Sequence, residues 1–330
     1  MPSRAQTTFC RICEASCGLE ATIEGDRVVA IVPDEDHVVS KGYSSIKGLR
    51  YHEIHHSPDR LRVPLKRVGD RFEEISWEQA LAEIGAKVRK LVSERGGDSI
   101  SAYLGNPISF SLMPPILTAA FLQGLGSRNL FQTGSQDCNN KFAAAERVYG
   151  FPFIHPFPDV DRTQCLILIG TNPAVSRGSF IQLPHPIRRL RAIEERGGRV
   201  FNVNPRRTET AKQLGTQVFI RPDTDVYFLL SFLHEVLRRD AVDHERVRAH
   251  MKGLDALRKV SDAWSPERTS GVTGISPEQL REMVDAYVGA DGAALHLSTG
   301  VNQGSQGTLA YWIQESINAI TGNLDRLGGT

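Results

Sequence analysis

The stretch from Cys165 to Leu230 constrains the fold more tightly than any other part of this chain. Cys165-Leu-Ile-Leu-Ile169 is apolar at every position, as suits a strand buried on both faces of a parallel sheet. It ends in Gly170-Thr-Asn-Pro173, and a helix is expected over Pro186 to Arg196, stopped by Gly197-Gly198. Arg199-Val-Phe-Asn-Val203 reads as a second strand, ending in Asn204-Pro-Arg-Arg-Thr208. Gln217-Val-Phe-Ile220 reads as a third, ending in Arg221-Pro-Asp-Thr-Asp225 ahead of an apolar helix. That succession is the layout of a doubly wound α/β domain. Ligands of such sheets bind beyond the carboxyl ends of the strands, and here those ends carry Gly, Asn, Arg, Thr and Asp. Ala293-Ala-Leu-His-Leu297 adds a further strand, ending in Ser298-Thr-Gly-Val-Asn-Gln-Gly304.

The front of the chain reads differently. Gly18 to Glu24 alternates as a strand, turns at Glu24-Gly25-Asp26, and pairs with Arg27 to Pro33 as a hairpin. Tyr51 to Pro64 is a polar connection rich in His, Arg and Pro, and Phe72 to Ser76 is a short strand. Ser76-Trp-Glu-Gln79 is a capping-box pattern, and Ala80, Leu81, Ile84, Val88 and Leu91 follow at helical spacing until Gly96-Gly97. Ser99 to Leu104 reads as a strand and Gly105-Asn106-Pro107 as a sharp turn. A length of 330 residues allows two or three domains with a sizeable core. The formal net charge of +1 argues against nucleic acid or an anionic membrane as a partner, and no apolar run approaches a membrane span.

Cys10, Cys13 and Cys17 lie in a Cys-x2-Cys-x3-Cys loop beside the hairpin, and the chain has five cysteines in all, a ligand cluster rather than a disulfide framework. Three soft thiolates suit an iron–sulfur cluster or zinc. A zinc site would take one of His37, His52, His55 and His56 as its fourth ligand; spacing alone favours the cluster. Reduced thiolates suit a reducing compartment, and with no long apolar N-terminal stretch a cytoplasmic location is expected.

Together with Gly42-Tyr-Ser-Ser-Ile-Lys-Gly48, the triad resembles the opening of the DMSO-reductase superfamily, the molybdenum or tungsten bis-pterin oxidoreductases that include formate dehydrogenases and nitrate reductases. Ile75-Ser-Trp-Glu-Gln-Ala-Leu81, Gly170-Thr-Asn-Pro-Ala174, Asn204-Pro-Arg-Arg-Thr-Glu-Thr-Ala211, Pro222-Asp-Thr-Asp225 and Thr321-Gly-Asn-Leu-Asp-Arg326 extend the likeness over essentially the whole chain. The resemblance implies a small N-terminal β-rich iron–sulfur domain over 1–60. It implies the first part of an α/β domain over 61–136 and an α/β pterin-dinucleotide-binding domain over 137–330. It also implies that a C-terminal β-barrel domain lies outside this chain. It implies an iron–sulfur cluster (4Fe–4S or 3Fe–4S) at Cys10, Cys13, Cys17 and Ser45, with Lys47 as an electron relay between cluster and pterin. It implies bis-molybdopterin guanine dinucleotide with Mo or W, held by Gly170, Asn172, Asn204, Arg206, Arg207 and Asp225. For these residues the loops have a rationale of their own: Gly170 and Asn172 allow close backbone approach, Arg206 and Arg207 pair with phosphate, and Asp225 accepts from a guanine edge or caps a helix.

Two positions depart from the family. Ser45 stands where cluster-bearing members have cysteine, and a hydroxyl ligates iron less readily than a thiol, so one iron corner is expected to be weak. Within Gly134-Ser-Gln-Asp-Cys-Asn-Asn-Lys-Phe-Ala143, Ala143 falls at the metal-ligand position with Lys141 as a neighbouring basic site. Cys138 reads better as a small residue at a helix start than as a ligand. The function implied is two-electron redox chemistry on a small-molecule substrate, with an electron-transfer partner protein and the remaining C-terminal part of the protein. The alternative is a non-catalytic electron-transfer or scaffold module of a larger redox complex. His155, Arg177 and His185, near strand-end loops, read as surface residues.

Overall fold

The computed structural model describes residues 3–105, 108 and 111–330; the turn expected at Asn106-Pro107 lies outside the described residues. The chain divides into two compact units, Met1–Thr133 and Gly134–Thr330. The expected 136/137 boundary falls close to that division, and the expected 60/61 boundary lies inside the first unit.

In the first unit, β1 (Arg4–Phe9), β2 (Gly18–Glu24) and β3 (Arg27–Pro33) form an antiparallel sheet in the order β1–β2–β3. The expected hairpin is β2–β3. Every residue of β1 is exposed, so it carries no alternation by which a sequence reader would find it. Two short helices follow, α1 (Ile46–Leu49) and α2 (Tyr51–His55). The second replaces part of the expected polar connection. Next come a hairpin of β4 (Leu65–Val68) and β5 (Arg71–Glu74), turning at Gly69 with φ +61°, and the helix α3 (Trp77–Arg95). Ser76 accepts from the Gln79 amide at 3.1 Å, the forward half of a capping box. The return half is missing, because the Gln79 side chain donates to Glu83 instead at 2.9 Å. Beyond α3, β6 (Ala102–Leu104) pairs in parallel with β7 (Leu130–Gln132) across α4 (Met113–Leu125).

The second unit opens with α5 (Gly134–Asp137) and α6 (Asn139–Tyr149). Its sheet contains β8 (Cys165–Ile169), β9 (Arg199–Val203), β10 (Thr216–Val218) and β11 (Ala293–Leu297), in the order β10–β9–β8–β11 with every pair parallel. The chain winds from β8 outward through β10 and then returns to the other side of β8. The topological switch therefore lies between β8 and β11, where such sheets bind ligands. Connecting helices are α7 (Pro173–Ser176), α8 (Pro186–Glu195), α9 (Asp225–Arg238), α10 (His244–His250), α11 (Leu254–Asp262), α12 (Pro266–Thr273), α13 (Pro277–Val288), α14 (Thr299–Asn302) and α15 (Gly307–Ile320).

Alternation along the strands splits the core in two. Leu166, Leu168, Val200 and Ala294 face Leu190 and Ile193 of α8. Cys165, Ile167, Ile169, Phe201 and Leu295 face α9, α13 and α15. The outer strand β11 has its edge closed by side chains: its amides at Ala293, Leu295 and Leu297 donate to Asn323, Asn318 and Gln314 at 2.9, 3.0 and 3.1 Å. An open edge would otherwise leave buried donors without partners.

Candidate functional site

In the first unit, the Cys10–Cys17 loop joins β1 to β2, and the Cys10 amide closes it by donating to the Cys17 carbonyl at 2.8 Å. Cys10 and Cys17 are buried, and with Leu19 they make a small core of their own. Gly48 of α1 rests against Cys10: a Cβ there would stand 3.3 Å from Cys10 Sγ and 2.6 Å from Ser44 Oγ. The loop that carries Ser45 is thus brought to the cysteine loop. Ser45 is the residue before α1; its carbonyl accepts from the Gly48 and Leu49 amides, and its hydroxyl makes no capping bond. Lys47 is exposed on α1.

Two of the four candidate histidines are engaged elsewhere. His37 Nδ1 accepts from the Ser40 amide at 3.1 Å, and its ring packs where a Cβ at Gly18 would be. His56 Nε2 accepts from the Val28 amide at 3.1 Å. Among the described residues, no three His, Cys, Asp or Glu side chains converge as a single ion requires. A cluster spreads its thiolates over separate irons, and this loop buries Cys10 and Cys17 while Cys13 is half-buried.

In the second unit, the carboxyl edge of the sheet gathers the expected residues. Gly170 ends β8 with φ +63°, and a Cβ there would lie 2.9 Å from the Val301 amide nitrogen. Its carbonyl accepts from Gly300 at 3.0 Å. The requirement for glycine is thus the close approach of the β11 loop at the switch point. Asn172 ties two loops together. Its Oδ1 accepts from the Thr210 amide at 3.1 Å and the Thr210 hydroxyl at 2.8 Å, and its Nδ2 donates to Glu209 at 2.5 Å.

Asn204, at the end of β9, accepts from the Arg206 amide at 3.4 Å. Arg206 pairs with Glu209 at 3.1 Å, while Arg207 is exposed. Glu209, not singled out from the sequence, is held down to about 2 by the Arg206 bond first, then by its own backbone amide and Asn172. Asp225 opens α9 as its first residue, the cap position being Thr224. Burial, and then Asp223, push its carboxyl up to about 6, against the lowering pull of its own amide. Asp223 grips the neighbouring loop, accepting from the Ser305 amide at 2.6 Å.

Lys141 lies in the first turn of α6, which docks on the same edge: the Asn140 amide donates to Asn302 at 3.0 Å, and Thr299 donates to Asp137 at 3.0 Å. Lys141 is only 4% exposed, and its ammonium sits 4.6 Å from the Phe180 ring centre. Burial lowers it to about 8, against the raising effect of Glu315 and Cys138. The three residues read as surface side chains are not alike. Arg177 is buried, with φ +62° in the loop after β8. His155 is half-buried and stacks on Phe142 at 5.1 Å; burial, then Lys141, lowers it to about 4. His185 is half-buried too.

Two buried polar atoms at this edge, Thr171 Oγ1 and Asn302 Nδ2, have no partner among the described residues. Unpaired buried groups are costly, and here they stand at the switch point, where a polar ligand would satisfy them.

Comparison with known proteins agrees with this geometry. A family model described as molybdopterin oxidoreductase matches residues 60–330, and one described as the molybdopterin oxidoreductase Fe4S4 domain matches residues 4–57. Formate dehydrogenase 1 subunit alpha of Methanococcus maripaludis is 26% identical over 97% of this chain and 46% of its own length. The periplasmic nitrate reductase of Desulfovibrio desulfuricans is 24% identical over 100% of this chain and 44% of its own. Acetylene hydratase from Pelobacter acetylenicus shares the fold with a TM-score of 0.81 at 23% identity, over 97% of this chain and 44% of that one. The chain spans less than half the length of these relatives.

Proposed function

Because the chain belongs to the molybdopterin oxidoreductase family and carries its Fe4S4 domain, we propose that the complete protein performs two-electron redox chemistry on a small molecule. The cofactors that go with the two family matches are an iron–sulfur cluster and a molybdopterin with molybdenum or tungsten. The observation that carries the reading is the join at the switch point, where Gly170 meets Gly300 and leaves Thr171 and Asn302 with unpaired buried atoms.

In this reading Cys10, Cys13 and Cys17 hold the cluster, with Ser45 at its fourth corner and Lys47 nearby as a cation that eases added negative charge. The pterin is bis-molybdopterin guanine dinucleotide. Asn172 and Asn204 offer it hydrogen bonds, Arg207 pairs with phosphate, and Arg206 does so by exchanging Glu209 for it. Asp225, protonated more readily than an ordinary aspartate, donates or accepts at the guanine edge. When bound, the metal supplies the two-electron step. Lys141 holds a positive charge, or a proton to give, at the edge where the substrate reacts. An electron-transfer partner, the remainder of the protein and a cytoplasmic location complete the reading; the buried thiols of Cys10 and Cys17 suit that compartment.

Elemental analysis of the complete protein, purified without oxygen, tests it. Iron with molybdenum or tungsten is the expected result; iron alone would favour the electron-transfer or scaffold module instead. Electron paramagnetic resonance of the oxidised protein tests Ser45 separately. A three-iron signal is expected, and a fully retained four-iron cluster would refute a weak corner there.

A further inference from the structure

Near the carboxyl end of α6 the second unit holds a half-open cavity of about 420 Å³, framed by α6, α10, α11 and α15. Protein interiors leave few voids much larger than a water molecule, and pockets that take small molecules run from roughly 300 to 1,000 Å³. The frame is fixed by bonds of its own. Tyr149 of α6 donates to Glu315 of α15 at 2.7 Å, and the amide of Asp243, the cap of α10, donates to the Ile320 carbonyl at the end of α15 at 2.7 Å. The lip is Met251-Lys252-Gly253, the turn from α10 into α11, where Gly253 takes φ +91°.

The lining sorts by chemistry. Met251, Leu254, Leu257, Trp312 and Ile320 give it an apolar wall. Its one acid is Glu315, 4% exposed, whose two oxygens accept from Tyr149 and, at 2.9 Å, from Gln314. These polar groups satisfy one another, so the inner wall leaves no buried hydrogen bond for a ligand to complete. Burial also favours the neutral form of that carboxyl, against the lowering effects of Tyr149, Lys141 and Gln314. Arg147, His250 and Lys252 line the cavity from exposed positions. None of the three has an ion-pair partner among the described residues, whereas Arg246 of α10 and Arg258 of α11 pair with Asp243 and Asp240.

We propose that this cavity binds a small aromatic carboxylate, with its ring against the apolar wall and its carboxylate toward Arg147, His250 and Lys252. The apolar body is called for by the wall, where Trp312 offers an aromatic face. The negative charge is called for by the unpaired cations, and the guanidinium fork of Arg147 matches a carboxylate better than a single acceptor. A neutral ligand would leave those cations unused, and a cationic one would be repelled by them. The reversed pose would press a carboxylate against the Glu315 carboxyl and leave the ring in water. The inference stands apart from the functional reading above, since the site needs neither the cluster nor the pterin.

Isothermal calorimetry on the complete protein tests it, with 3-phenylpropionate as the probe. A dissociation constant on the order of 1 mM is expected, the strength that a ligand of this size draws from a preformed apolar site. 3-Phenylpropanamide has the same shape without the charge and is expected to bind about tenfold more weakly. 3-Phenylpropylamine carries the opposite charge and is expected to give no binding heat. Arg147→Gln is expected to weaken the carboxylate about tenfold and leave the amide unchanged, a pattern that a general loss of structure would not give. Leu254→Trp fills the apolar end and is expected to abolish binding of both; if it does not fold, the Arg147→Gln comparison carries the test. Equal binding of the three probes would overturn the site, as would carboxylate binding that neither Arg147→Gln nor Lys252→Gln weakens. Absence of binding to the complete protein would overturn it too, and would mean that the rest of the protein fills the cavity.

Discussion

The two sheets that carry the proposed cofactors are held together in opposite ways. In the second unit, β8 and β11 are buried at every position, and Phe201, Phe228, Phe232 and Tyr287 lie in one continuous core. In the first unit, β1 is exposed at every position, and the core beneath the cysteine loop is Cys10, Cys17 and Leu19 with a few partly buried neighbours. Apolar burial at about 25 cal/mol per Å² holds the first arrangement without help. It cannot do as much for the second, where the ligand loop makes up most of the core. There metal binding and folding are expected to be coupled. The largest expected effect follows. In the complete protein, Cys13→Ser should lower iron per chain by at least about tenfold. Amide exchange in β2 and β3 should become fast, while β8 and β9 stay protected. Equal loss of protection in both sheets would break the contrast.

The converse substitution acts on the other side of the comparison. Phe201 is fully buried at the centre of β9, paired with Ile167 and Thr216. Phe201→Ala should destabilise the second unit by about 4 kcal/mol through lost burial and the cavity left behind. Denaturant unfolding followed by exchange of the β8 and β9 amides measures it. Iron content should hardly change.

This contrast also explains what was legible beforehand. Cys165–Ile169 and Ala293–Leu297 could be read because a strand buried on both faces has little choice of residues. The strand Arg4–Phe9 could not, because its sequence makes no use of the hydrophobic period. The β10 strand spans Thr216–Val218 rather than the expected 217–220, and Ile220 packs in the core beyond the strand's end. At the site, the loop residues Gly170, Asn172 and Asn204 could be placed at strand ends, but their partners could not. Asn172 finds Glu209 and Thr210 through tertiary contact alone. Glu315 left one faint signal, an acid amid the apolar positions Tyr311, Ile313 and Ile317 of its helix.

A buried charge sharpens the comparison further. Lys141 has the second unit's apolar surroundings, and burial is what lowers its proton affinity. Its folded value of about 8 lies below the ordinary 10.5, so the folded state holds the cation at a cost below pH 8. That cost fades as the pH rises from about 8 to 10.5, because the folded form sheds a proton that the unfolded chain keeps. Lys141→Met should therefore stabilise the second unit by up to about 3 kcal/mol at pH 7, with a much smaller gain near pH 10. Denaturant unfolding at the two pH values checks the sign. A destabilisation at pH 7 would mean that the Phe180 contact and Glu315 outweigh desolvation.

The smallest effect concerns how the second sheet ends. An exposed edge such as β1 meets water, so its amides need no partner from the protein. The edge of β11 is buried and must be paired internally. Asn318 does this with both ends of its amide: Oδ1 accepts from Leu295 at 3.0 Å, Nδ2 donates to the Leu295 carbonyl at 3.1 Å, and Tyr287 donates to the same Oδ1 at 2.9 Å. Asn318→Ala leaves a backbone donor and a backbone acceptor without partners, while the Tyr287 phenol keeps the Thr321 hydroxyl at 3.2 Å. The expected loss is about 2 kcal/mol, somewhat below the sum of two unsatisfied groups, because water can enter the space the side chain leaves. Exchange of the Leu295 amide reads it locally, with an expected rise that Leu297, held independently by Gln314, does not share. A rise at both would show the edge of β11 to be a single cooperative seam rather than three separate clasps.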